Sequence, residues 1–242
     1  MKYIFGPIHS RRLGVSLGID LLPHKTCSLD CIYCECGCTN RLTVHREEFF
    51  SADSVMKELD EYLSKRPSLD YITFSGSGEP TLHSGIGRII DFIKDRYPEY
   101  RIAVLTNGTL LGDKSVQADI SRADVVIPSL DGATSESFEK ICRPDPSITV
   151  ENTVNGIASF RKVYTGIMIL EIFIVPGVND SESEIAAFKT ACTKISPDAI
   201  QLNHLARPGC VDWIKIPSKD RLLEIKKSME PLPVQLIEPK AG

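Results

Sequence analysis

The segment Lys25-Thr-Cys-Ser-Leu-Asp-Cys-Ile-Tyr-Cys34 carries three cysteines, Cys27, Cys31 and Cys34, in a C-x3-C-x2-C spacing near the start of the chain. A zinc knuckle or a redox cysteine pair is the plainer use of such thiols. Zinc sites, however, usually take four ligands in paired short spacings, which this triplet fits poorly. A [4Fe–4S] cube takes one thiolate per iron. Three thiolates in one short loop leave one iron with an open position. An open position is what separates a chemical site from a structural one, a logic stated for zinc and extended here to iron.

Outward from this loop, short β-branched runs alternate with amphipathic stretches, the pattern of βα units around a parallel sheet. Strands are predicted near 16–22, 70–75, 101–106, 124–130, 167–175 and 198–203. Tyr71-Ile-Thr-Phe-Ser75, Ile102-Ala-Val-Leu-Thr106 and Val125-Val-Ile-Pro-Ser129 are the clearest. Near-continuous apolar runs suit strands covered on both faces. Helices are predicted at 52–65, 84–96, 113–121, 134–141, 150–162 and 181–194. The last of these opens on a capping box, Ser181-Glu-Ser-Glu184. A further helix near 217–229 and a short strand over 234–237 finish the chain.

The chain has 242 residues, 42% hydrophobic and 25% charged, with a formal net charge of −4. That is enough chain to bury a core without staples, and the acidic balance argues against broad nucleic-acid binding. The apolar stretch Gly166 to Val175 is interrupted by Glu171 and is too short to cross a bilayer. No signal peptide is legible. The eight cysteines therefore read as free thiols in a reducing cytoplasm, with no membrane partner.

The triplet, with aromatic Tyr33 before its last cysteine, resembles the signature of the radical S-adenosylmethionine (radical SAM) superfamily. The N-terminal Gly6-Pro-Ile-His-Ser-Arg-Arg-Leu-Gly14 and Ser16-Leu-Gly-Ile-Asp20 add a likeness to a group of iron–sulfur oxidoreductases related to wybutosine synthase. The resemblance implies an α/β fold, a partial (β/α)6 barrel of the radical SAM type. It forms a single domain over residues 1–242 with a short N-terminal extension of about 1–15. It also implies two cofactors, a [4Fe–4S] cluster on Cys27, Cys31 and Cys34, and S-adenosylmethionine (SAM) chelated to the open iron. One electron from the reduced cluster would split SAM to methionine and a 5′-deoxyadenosyl radical, which abstracts hydrogen from the substrate. The cofactors carry this chemistry and the protein supplies position and shielding.

In barrel enzymes the chemistry sits at strand C-termini, where further motifs fall. Ser75-Gly-Ser-Gly-Glu-Pro-Thr81 is similar to the superfamily's Gly-Gly-Glu-Pro loop. That likeness implies that Gly76, Ser77, Gly78 and Glu79 bind the SAM amino group, with Ser77 departing from the glycine pair. An ordinary glycine turn is the alternative. Asn107, in Thr106-Asn-Gly108, would reach the SAM carboxylate or ribose, or is simply a turn residue. Pro128-Ser-Leu-Asp-Gly132 resembles the family pattern in which a polar residue touches the ribose, which implies that role for Ser129 and Asp131; the two share a parity, although Asp131 is also placed to cap a helix. Asn203, His204 and Arg207 would face the barrel mouth.

Cys36, Cys38, Cys142 and Cys210 are candidates for a second metal or substrate site, whereas Cys192 reads as core. Arg11, Arg12, Lys25, Arg41, Arg46, Arg143 and Arg207 flank the proposed active face and hint at an anionic substrate. The sequence names no catalytic acid or base. The expected function is hydrogen abstraction from an unknown substrate, fed by a reduced flavodoxin- or ferredoxin-type electron donor. Activation of a glycyl-radical protein and modification of tRNA are enzymatic alternatives. An iron–sulfur electron carrier is an alternative of another class, and one that would need no SAM pocket.

Overall fold

Strands buried on both faces build the centre of the molecule, whose computed structural model describes residues 1–10 and 12–237. The strands are β1 (Ile4–Ser10), β2 (Gly14–Ile19), β3 (Thr26–Cys27), β4 (Arg41–Leu42), β5 (Tyr71–Phe74), β6 (Arg101–Thr106), β7 (Val125–Pro128), β8 (Ile167–Phe173), β9 (Ala199–Asn203) and β10 (Val234–Leu236). The helices are α1 (Ala52–Leu63), α2 (Ile86–Arg96), α3 (Lys114–Asp119), α4 (Ser135–Cys142), α5 (Val150–Arg161), α6 (Glu182–Ile195) and α7 (Lys219–Ser228). Every predicted element is present, with ends shifted by no more than three residues.

The main sheet runs β1-β2-β5-β6-β7-β8-β9-β10, so its strands follow chain order. All neighbours are parallel except the β1–β2 hairpin. Right-handed βα crossovers that always step to the next strand roll a sheet toward a barrel. Among the described residues no ladder joins β10 back to β1, and the barrel stays partial.

The N-terminal extension is part of this sheet. Its residues Ile4 to Ser10 pair with β2 as an antiparallel edge strand, with a register shift between Phe5 and Ile8. An edge strand tolerates Pro7 because one side makes no ladder. Arg11, one of the basic residues noted in the sequence, lies outside the described residues.

Side-chain parity separates two compartments. Leu17 and Ile19, Ile72 and Phe74, Ile102 and Val104, and Leu170 and Ile172 point outward beneath the helices and are fully buried. The opposite parity faces the barrel interior. One end of that interior is plugged by Leu13, Ala103, Val125 and Ile127. The rest is a cavity of about 790 Å³ lined by Ser16, Thr73, Ser75, Glu171, Phe173 and Asn203 among others. Arg12, in the turn after β1, forms a largely buried ion pair with Glu171 of β8 across this space.

The predicted capping box is realised only in part. The Glu184 amide donates to Ser181 Oγ at 3.3 Å. The Glu184 carboxylate turns instead to Thr134 Oγ1 and Ser137 Oγ at 2.6 and 2.7 Å. Those two hydroxyls belong to the reciprocal capping box that opens α4. Two hydroxyl donors from a neighbouring helix outcompete one backbone N–H.

Candidate active site

The cysteine loop is clamped at its base by the parallel pair β3–β4 and by a bond from the Thr43 amide to the Cys27 carbonyl at 2.9 Å. Between the cysteines, Ser28, Leu29 and Ile32 are buried, while Cys27, Cys31 and Cys34 stay partly accessible. The backbone is stitched to the end of α4, with the Asp30 amide donating to Cys142 O and the Ile32 amide to Ile141 O, both at 2.9 Å. Buried anchors alternating with accessible thiols present three sulfurs from a fixed loop, as a cluster requires.

The thiols differ electrostatically. Cys34 is held down at about 5, first by a hydrogen bond from the Cys36 thiol and then, against burial, by the Lys25 ammonium. Lys25 is only 3% exposed, and its Nζ stands 3.1 Å from Cys34 Sγ. Burial, followed by the charges of Glu79 and Cys31, pushes Cys27 up to about 12. Metal coordination deprotonates thiols outright. Assembly here would therefore draw a proton from Cys27, which burial holds protonated, more than from Cys34.

The glycine loop after β5 packs on the start of the cysteine loop. A Cβ on Gly78 would lie 2.1 Å from the Thr26 carbonyl oxygen, and one on Gly76, at φ +141°, would strike Asp20. Ser77 replaces a glycine without penalty, since its amide and hydroxyl donate to Asp20 Oδ2 at 3.0 and 2.9 Å. Glu79 is 2% exposed. Its Oε1 accepts from the Thr81 amide, Thr81 Oγ1 and Thr106 Oγ1, and its Oε2 from the Asn107 amide at 2.7 Å. Burial raises its pKa against these four donors. Glu79 thus ties the glycine loop to the end of β6.

Asn107 reaches back to the cysteine loop, its Nδ2 donating to Ser28 Oγ at 2.8 Å and to Cys27 Sγ at 3.5 Å. Ser129 is half-buried, its amide bonded to Thr106 O and its backbone bridged to Glu171. Asp131 does not cap α4, because Thr134 does. Its Oδ1 accepts from the Phe173 amide at 2.7 Å and its Oδ2 from the Tyr33 hydroxyl. Burial, opposed by those two bonds, raises Asp131 to about 6. The Tyr33 ring stacks on Phe173 with centroids 3.9 Å apart.

Tyr33 and Cys34 line the large cavity directly, together with Asn203, His204 and Arg207. Glu79, Asn107 and Asp131 do not line it, and Asp131 reaches it through its hydrogen bond from Tyr33. The basic residues are mostly engaged: Lys25 with Cys34, Arg12 with Glu171, Arg41 with Glu47, Arg46 with Asp119, Arg143 with Asp30 and Arg207 with Glu35. Paired cations offer an anionic substrate less than the sequence suggested. Glu171 and Phe173 were not picked out as site residues; the only signal was a charge interrupting an apolar run. Cys192 is fully buried, as expected.

Residues 21–188 match the family profile of the Radical SAM superfamily. The chain belongs to the radical SAM superfamily. Its members are enzymes that use a [4Fe–4S] cluster and SAM, which leaves the electron-carrier alternative without support. The chain is 38% identical over 229 residues to a Brachyspira hyodysenteriae protein named GTPase Obg, covering 95% of this chain but 34% of that protein. It is 33% identical over 227 residues to a UPF0026 protein of Methanocaldococcus jannaschii, covering 93% and 70% of the two chains. The fold is similar to a radical SAM methyltransferase of Sphaerobacter thermophilus, with a TM-score of 0.67 at 14% identity over 91% of this chain and 66% of that one. It is also similar to TYW1 with a lysine–pyruvate adduct bound, with a TM-score of 0.65 at 16% identity over 89% and 72%. Among the described residues, no helix of this radical SAM chain is long and apolar enough to cross a membrane.

Proposed function

We propose that the chain cleaves SAM reductively and abstracts a hydrogen atom from a small substrate held in the barrel cavity. The observation that carries this reading is the three-thiol loop opening, through Tyr33 and Cys34, onto a cavity of about 790 Å³ whose walls mix polar side chains such as Ser16, Thr73 and Asn203 with apolar ones such as Leu105 and Phe173. That volume is within the range of small-molecule sites. When bound, the cluster and SAM supply one-electron cleavage and a carbon radical.

The residues present fit both groups. Cys27, Cys31 and Cys34 would hold the cluster, and Lys25 would offset its negative charge. The backbone of Gly76, Ser77 and Gly78, with Glu79 Oε2, would take the SAM amino group. Asn107 and Ser129 would face its carboxylate and ribose. Asp131 would act through Tyr33, fixing the ring beside Cys34. A one-electron reductant of flavodoxin or ferredoxin type completes the requirement. The pairing of the mouth arginines with carboxylates favours a small substrate over the polyanionic backbone of tRNA.

The test is anaerobic incubation of the reconstituted, reduced protein with SAM, reading 5′-deoxyadenosine, iron content and the cluster's paramagnetic resonance signal. About four irons per chain are expected, falling in Cys27→Ala, Cys31→Ala and Cys34→Ala, with a SAM-induced change in the signal. Cys142 lies beside Cys31 and is buried, so Cys142→Ala is the deciding control. If the cluster signal ignores SAM in the unaltered protein and responds only in Cys142→Ala, a fourth cysteine occupies the open corner and the reading fails.

A further inference from the structure

We propose that Asp30, Cys38 and Cys210 form a second metal site, a mononuclear zinc centre that clips the loop after β9 to the cysteine loop. One ligand atom from each of the three lies within 4.8 Å of the others. They come from distant parts of the chain. Asp30 sits between two cluster cysteines, Cys38 follows the triplet, and Cys210 stands in the segment between β9 and α7.

That segment has no helix or strand from His204 to Ser218. Loops of this length inside a compact domain usually serve a function. Its docking is specific. The Val211 amide donates to the Ile32 carbonyl at 3.3 Å. Gly209 packs so closely that a Cβ there would lie 2.6 Å from the Tyr33 carbonyl carbon. The same loop contributes His204, Arg207 and Ile216 to the wall of the large cavity. Pinning Cys210 to Cys38 would therefore hold one wall of that cavity in place.

The donor set selects the ion. Two thiolates and a carboxylate suit zinc, whose sites accept sulfur and oxygen in a tetrahedron with the fourth position open to water or ligand. An iron–sulfur cube takes cysteine thiolates, and here the third donor is a carboxylate. Asp30 Oδ1 is oriented by the Thr39 amide at 2.6 Å, the kind of supporting bond that aims a metal-binding carboxylate. Two thiolates and one carboxylate around a divalent ion leave one negative charge. The Arg143 guanidinium, 3.5 Å from Asp30 Oδ2, is placed to balance it.

The test uses the anaerobic protein with its cluster in place, exposed to one equivalent of zinc sulfate and desalted. Zinc and iron are measured by mass spectrometry, and the zinc environment by X-ray absorption at the zinc edge, which the cluster iron does not obscure. About one zinc per chain is expected, with two sulfur neighbours near ~2.3 Å and the rest oxygen near ~2.0 Å. In Cys38→Ser/Cys210→Ser, zinc retention falls at least ~10-fold while iron stays unchanged, and Asp30→Asn weakens retention by ~10-fold or more. Equal zinc in the double variant, a three-sulfur environment, extra iron with sulfide, or a Cys38–Cys210 disulfide in the zinc-exposed protein would each overturn the proposal. Should the double variant lose its iron through misfolding, the sulfur count in the unaltered protein decides. Zinc retention does not depend on SAM cleavage, so this result stands apart from that of the proposed function.

Discussion

The Lys25 ammonium lies 3.1 Å from the Cys34 sulfur in a position almost closed to solvent. Burial alone would lower the lysine's pKa, but the hydrogen bond and charge of Cys34, then Cys27 and Cys31, raise it overall. Cys34 is held at about 5, first by the Cys36 thiol and then by Lys25. In metal-free protein, Cys34 is therefore a thiol below about pH 5 and a thiolate above it. Lys25→Met should move the midpoint of Cys34 alkylation upward, read as iodoacetamide rate against pH with peptide mass spectrometry. In the cluster-loaded protein the same change removes a cation and an N–H···S bond, lowering the cluster potential on the order of 50 mV. An unmoved midpoint and potential would show that Lys25 is only packing.

Asp131 makes stability depend on pH. Its folded pKa of about 6 lies above the usual ~3.9 of an unfolded aspartate. The stability it contributes is full below the unfolded value and is lost as pH rises through about 6. For this buried group the loss is roughly 2–3 kcal/mol between pH 4 and 7.5. Urea midpoints at the two pH values should differ in the unaltered protein by more than in Asp131→Asn. Identical pH dependence in both proteins would refute the assignment.

Gly78→Ala places a methyl group 2.1 Å from the Thr26 carbonyl oxygen. Both partners are backbone, so neither can swing aside. The glycine loop must move away from the cysteine loop by a sizeable fraction of an ångström. Displacement on that scale costs roughly 100-fold in a positioned reaction, and 5′-deoxyadenosine formation should fall accordingly. Iron content should change little, because the three cysteines are anchored by Leu29 and Ile32. Normal turnover in Gly78→Ala would separate this loop from SAM.

Glu79→Gln tests whether the carboxylate serves as an acceptor. Glu79 receives donors on both oxygens. An amide in either orientation sets its NH2 against a backbone N–H, of Asn107 or of Thr81. A buried unsatisfied donor costs about 1–3 kcal/mol. Urea denaturation should show that loss, and SAM-dependent turnover should fall with it. A variant as stable as the parent would mean that the carboxylate is not the joint between these loops.

Much of the site was legible because its parts are local. The Cys27-x3-Cys31-x2-Cys34 spacing, the glycine loop at Gly76–Glu79 and the Asn107-Gly108 turn each declare a backbone shape within a few residues. Glu171 showed only as a charge inside an apolar run, and neither its place in the cavity wall nor its partner Arg12 was legible. The N-terminal strand was missed because Pro7 and Gly6 read as loop residues, and only an edge position with a register shift accommodates them. Lys25 read as a surface cation because charge usually seeks water. The Cys34 sulfur at 3.1 Å, helped by the charges of Cys27 and Cys31, offsets that preference.

By itself the sequence determined the alternation of strands and helices, the cysteine triplet and the loops that end β5, β6 and β7. These follow from hydrophobic period, ligand spacing and turn chemistry, all short-range properties of a polypeptide. Tertiary structure alone decided that Arg12 meets Glu171, that Asp131 holds Tyr33 rather than capping a helix, and that Cys210 returns to Cys38. Such meetings depend on how strand ends are ordered around the barrel, and residues far apart in the chain carry no local mark of the neighbour that folding gives them.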